Sequence, residues 1–125
     1  NTRNPFEIAD HLGILYQIGN IGCAGCYMFL KNHRYIFLSQ DLEKHELKMV
    51  MAHELGHAIL HTKQNCYFIR NKTLLLNSKI EKEANIFAAT LLISEDELSE
   101  YKDYTLKQLS KILGYSEQLI QLRIQ

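Results

Sequence analysis

The stretch MAHELGHAILH, residues 51–61, sets three histidines four residues apart, His53, His57 and His61, and puts Glu54 beside the first. On a helix, residues four apart lie one above the other, separated by about 6 Å along the axis. His53 and His57 can therefore aim both imidazoles at one cation, with Glu54 offset to the side where a water on that cation would sit. Zinc suits two neutral imidazoles plus a carboxylate, with one position left for water. A metal of this kind brings the pKa of its water down toward ~7, and a neighbouring carboxylate can take the proton and pass it to a departing amine. Glu54 is the candidate general base of such a hydrolysis.

HExxH alone is a short pattern, so the flanking residues carry weight. VMAHELGHAI holds no charge other than Glu54, as burial around an ion demands. Gly56 costs about 1 kcal/mol in a helix interior relative to Ala, which predicts a close approach to the backbone there. His61 shares the face but stands about 9 Å of helix rise beyond an ion held between the first two histidines. It reads as a helix-end residue, favoured there by the dipole. His11, His33 and His45 have no ligand-like spacing.

A third ligand must come from another element, and KIEKEANIFAATLL (residues 79–92) offers two acids. Glu83 shares a face with Ile80 and Phe87, so it is expected to point inward with the apolar stripe, where a carboxylate needs a cation. Glu81 is turned about 160° away, toward Lys79 and Lys82. It is the reserve candidate.

The elements that must position these residues follow from periodicity and turn chemistry. Pro5–Leu12 reads as a short opening helix with proline early. Ile14–Ile18, Cys26–Leu30 and Tyr35–Ser39 are short apolar runs separated by Gly-Asn and Asn-His turn signals, and they predict a small antiparallel sheet. Helical sequence runs from Asp41 to His61 and again from Ile80 to Ile93. Between them, CYFI and TLLL read as irregular or paired extended segments. Glu95–Tyr101 is a short helix capped by Ser94 with Glu97 as its capping-box partner, and Leu106–Leu113 and Ser116–Ile124 form two more helices around Gly114 and Tyr115. The expected class is α+β in a single domain over 1–125: an N-terminal helix and sheet (1–42), active-site helices (43–93) and a C-terminal helical tail (94–125).

Bulk composition narrows the function classes. Formal net charge is zero, which gives no electrostatic footprint for nucleic acid or an anionic membrane. No apolar run approaches the ~18 residues of a membrane span. Three cysteines, an odd number, argue against a disulfide framework and for a reducing, cytoplasmic setting. Cys23 and Cys26 have no second pair to complete a structural metal site, and they read as two thiols at a turn.

AHELGHAILH followed by EKEANIFAATLLI resembles the ImmA/IrrE family of metallopeptidases, and YTLKQLSKILGYSEQLIQLRI is similar to that family's helix-turn-helix-like end. The resemblance covers nearly the whole chain from Phe6. It implies an intracellular protease that cuts a helix-turn-helix repressor, with Zn2+ as the expected ion and Mn2+ as its alternative. On this resemblance the ligands fall on His53, His57 and the glutamate before Ala-Asn, Glu83, and the catalytic acid on Glu54. The family's proline after the Leu-Leu run is Ser94 here. Thermolysin-like proteases orient one histidine with an acid four residues after the glutamate ligand. Counted from Glu83 that position is Phe87, which leaves Asn85 as the candidate support. His61, Tyr67, Tyr101, Tyr104 and Tyr115 are candidates for stabilising an oxyanion. A rival reading makes the tail a DNA- or partner-binding unit, with Gln118, Gln121 and Arg123 on its second helix, yet Lys107, Lys111 and Arg123 are few for several phosphates.

Overall fold

A computed structural model describes residues 2–68 and 79–124, the side chains of 66–68 excepted. Helix α1 (Pro5–Leu12) starts on the Asn4 side chain, which accepts from the Phe6 N–H, and ends at Gly13 in the left-handed region. Strands β1 (Leu15–Gly19), β2 (Gly25–Leu30) and β3 (His33–Ser39) precede the long helix α2 (Lys44–Leu60), and β4 (Cys66–Phe68) follows it. Then come α3 (Lys79–Leu92), α4 (Glu95–Glu100), α5 (Leu106–Leu113) and α6 (Glu117–Ile124). Among the described residues the class is α+β, as expected. TLLL lies outside them.

The sheet corrects one expectation. Its strand order is β1-β3-β2-β4, and β1 runs parallel to β3 with Leu15 opposite Tyr35, so the sheet is mixed rather than antiparallel. Among the described residues, β2 and β3 form a hairpin, turning on Lys31 and Asn32 at φ 50° and 64°, the left-handed pair that a two-residue turn requires. The chain passes from β1 over β3's position to reach β2, which is why β1 meets its neighbour with the same direction. Period-two alternation cannot reveal that choice, because both directions give the same pattern.

Tyr27, Ile36 and Leu38 form the inward face of β2 and β3 and are fully buried with Val50, Met51, Leu55 and Ala58 of α2. Every residue of α2 from Val50 to Ala58 is buried, so the helix is enclosed on all sides and shows no single apolar stripe. A second cluster joins Ala52 to Ala88, Ala89, Ile93, Leu109, Leu119 and Ile120, and Met49 and Leu91 pack against both clusters.

Two glycines permit the close contacts. A Cβ on Gly56 would lie 3.2 Å from the Ala84 Cα and 3.2 Å from the Phe87 ring, so α2 and α3 touch nearly backbone to backbone. A Cβ on Gly25 would meet Val50 Cγ1 at 2.6 Å, which seats β2 directly on α2. The close approach expected at Gly56 is thus the α2–α3 contact.

Candidate functional site

Helix α2 brings His53 and His57 to its buried face, and α3 supplies the third group. His53 Nε2 lies 3.0 Å from Glu81 Oε1, His57 Nε2 lies 3.1 Å from Glu81 Oε2, and the two Nε2 atoms are 3.2 Å apart. All three residues are buried. Four donors placed tetrahedrally about an ion at zinc-ligand distances stand about 3.3–3.4 Å from one another. The observed separations are close to that, so His53, His57 and Glu81 could hold a divalent cation.

The expectation for Glu83 is corrected here. The structure brings Glu81, not Glu83, to the histidine pair. Glu83 points to His61, with Oε1 2.8 Å from His61 Nε2, and its side chain is 43% exposed. The physical reason lies in the α2–α3 contact. The buried residues of α3 are Glu81, Ala84, Asn85, Ala88, Ala89 and Leu92, a face spaced at three and four and chosen for small side chains. The bulkier Ile80 and Phe87 flank it and are only partly buried. Apolar bulk marks an inward face in most helices, but where backbones come together alanine marks it instead.

With Glu81 in place, Asn85 falls four residues after the acid at the histidine pair. Its Oδ1 is 2.7 Å from His53 Nδ1. An amide oxygen accepts, so His53 carries a proton on Nδ1 and turns Nε2 toward Glu81, 3.0 Å away. His57 is held in a similar way through Nδ1, 3.0 Å from His61 Nδ1. His61, expected as a helix-end residue, is the C-cap of α2 at φ −130°, ψ 47°.

Burial and the Glu81 carboxylate set the electrostatics of the pair. Burial pushes the His53 ring down, toward its neutral form. Burial alone would raise the Glu81 carboxyl, yet hydrogen bonding with His53 and His57 outweighs it and holds the group at about 2. The carboxylate and the two Nε2 atoms converge on one point between α2 and α3, where a divalent cation could take a lone pair from each.

Glu54 is fully buried, and neither carboxyl oxygen has a hydrogen-bond partner among the described residues. Burial pushes its pKa well above the ordinary carboxylate range, and the Glu81 charge adds to the effect. An unpartnered buried acid is costly.

Tyr101 and Tyr104 pack edge to face at 5.4 Å, and Tyr115 is buried in the second core cluster against His45. Tyr67 lies on β4, and its side chain is outside the described residues. Cys23 donates to the Gly25 carbonyl at 3.2 Å, while Cys26 is on β2 rather than in the turn. Burial raises both thiols, Cys26 to about 11, which leaves little thiolate for metal or redox work at neutral pH.

A peptidase family model described as the IrrE N-terminal-like domain matches residues 9–125. The chain is 35% identical over 126 residues to an uncharacterized immunity region protein 2 of Bacillus phage phi105, spanning 98% of this chain and 80% of that one. It is 30% identical over 122 residues to the metallopeptidase ImmA of Bacillus subtilis strain 168, spanning 95% of this chain and 67% of the relative. With the family model covering the sheet, both helices that face the histidine pair and the helical tail, this chain belongs to the IrrE N-terminal-like peptidase family.

Proposed function

We propose that the protein is a zinc-dependent endopeptidase whose metal is held by His53, His57 and Glu81 and whose general base is Glu54. The single observation that carries this reading is the convergence of two Nε2 atoms and one carboxylate beside a buried acid with no hydrogen-bond partner among the described residues. Bound zinc would supply Lewis acidity, lowering the pKa of water and polarising the scissile carbonyl. Glu54 accepts a proton from the attacking water and returns it to the leaving amine. A nearby cation favours the ionised carboxylate that the first half of that task requires. Asn85 accepts from His53 Nδ1 and so turns Nε2 toward Glu81.

The substrate, on the resemblance to ImmA/IrrE proteins, is a helix-turn-helix repressor. The metallopeptidase name of one relative and the immunity-region name of the phage relative support that class. The DNA-binding reading of the tail is disfavoured. Arg123 donates from Nε to the Ile93 carbonyl at 2.8 Å and is partly buried, so one of its few cations is committed within the fold.

The test is metal content together with cleavage of candidate repressors by wild type and Glu54→Gln. The variant is expected to keep its zinc and lose cleavage by about 10²–10⁴-fold. Equal cleavage by both proteins removes Glu54 from the chemistry, and the absence of bound metal removes the whole reading.

A further inference from the structure

His57 and Glu83 are joined through His61. His57 Nδ1 is 3.0 Å from His61 Nδ1, and His61 Nε2 is 2.8 Å from Glu83 Oε1. The direction of this chain is set from its outer end. A carboxylate oxygen accepts, so His61 Nε2 carries an N–H, and a neutral ring then offers its Nδ1 as an acceptor. His57 must donate from Nδ1. Its Nε2 faces Glu81 at 3.1 Å and His53 at 3.2 Å, the side on which a cation would be held.

We propose that Glu83 and His61 form a positioning relay that fixes the tautomer and ring orientation of His57 and strengthens its hold on the metal. The proposal rests on the metal reading above. The two facing rings are supported by different chemistry: His53 leans on a neutral amide, His57 on an imidazole backed by a carboxylate. A negative charge at the end of an N–H···N chain raises the basicity of the far nitrogen, and such outer partners commonly change metal affinity about 10–100-fold. Local structure makes the relay possible. At the end of α2 the His61 backbone has left helical geometry, and the ring lies between His57 and the partly exposed Glu83 of α3. Glu81 and Glu83 thus divide the work of one helix: the first faces both histidines, and the second reaches one of them from outside through His61.

Zinc affinity, measured by competition against a chromophoric chelator, tests this without recourse to activity. Glu83→Ala is expected to weaken zinc binding about tenfold and His61→Ala somewhat more, within the about 10–100-fold range for such partners. Glu83→Gln should recover part of the loss, because its amide oxygen still accepts from His61 Nε2. The double variant Glu83→Ala/His61→Ala should be no weaker than His61→Ala alone, since Glu83 acts only through His61. The cobalt-substituted forms should show shifted visible bands, and the melting temperature of metal-free Glu83→Ala should match wild type. Unchanged affinity in Glu83→Ala, or additive losses in the double variant, overturns the relay while leaving the metal centre standing. A loss for His61→Ala as deep as for His57→Ala would make His61 a ligand and overturn it too. If wild type binds no zinc, both readings fail together.

Discussion

Glu54 is buried without a hydrogen-bond partner among the described residues, and this has an electrostatic consequence. In the metal-free protein its pKa lies well above its usual 4.5 because burial disfavours the charge. The folded state therefore holds this proton more tightly than the unfolded chain. The contribution is fully present below about 4.5 and declines as pH rises toward the folded pKa. Glu81 has the opposite sign. Held at about 2, its contribution is present above its ordinary 4.5 and is lost as pH falls toward 2. The two windows do not overlap. Urea titrations of metal-free protein between about pH 4.5 and 7 should thus show wild type losing stability relative to Glu54→Gln as pH rises, the opposite contribution of the depressed His53 being common to both. Glu54→Gln should lack that part of the slope, and identical slopes would mean that the acid is solvated.

At the scale of elements, the α2–α3 contact decides the geometry of the site. It exists because Gly56 faces Ala84 and Phe87 at a distance that a Cβ would already crowd. Gly56→Val should cost about 1–3 kcal/mol by overpacking, despite the gain in helix propensity. It should also weaken zinc binding, because pushing the helices apart moves Glu81 away from His53 and His57. Denaturant unfolding and chelator competition measure the two effects. A stable variant with normal zinc affinity would show that the helices can separate without cost. The C-terminal elements behave more simply. Ser94 with Glu97 and Thr105 with Gln108 form capping boxes, and Gly114 in the left-handed region ends α5 before α6 begins.

For the whole molecule, the two core clusters meet through Met49 and Leu91, and the histidine pair lies on the helix both clusters share. Metal bound there is linked to global folding rather than to a local loop. Free zinc at a hundred times its dissociation constant should stabilise the fold by about 2.7 kcal/mol. A chelator should lower the melting temperature of wild type by several degrees and leave Glu81→Gln almost unmoved. A wild-type melting temperature indifferent to chelation would falsify the linkage.

The histidine pair was legible in one short stretch, because four-residue spacing on a helix determines which side chains coincide. His53, His57, their adjoining Glu54, the capping residues and the helical segments follow from local rules. The partner acid did not, because Glu81 and Glu83 differ by two positions on one helix and only the neighbour of that helix settles which is inside. Periodicity assigned the inward face to bulk, whereas the backbone contact at Gly56 assigned it to alanines, and Glu81 came inward with them. The parallel pairing of β1 and the link from His61 to Glu83 belong to the same class of fact. Both join residues distant along the chain, and no local propensity encodes which distant surfaces meet.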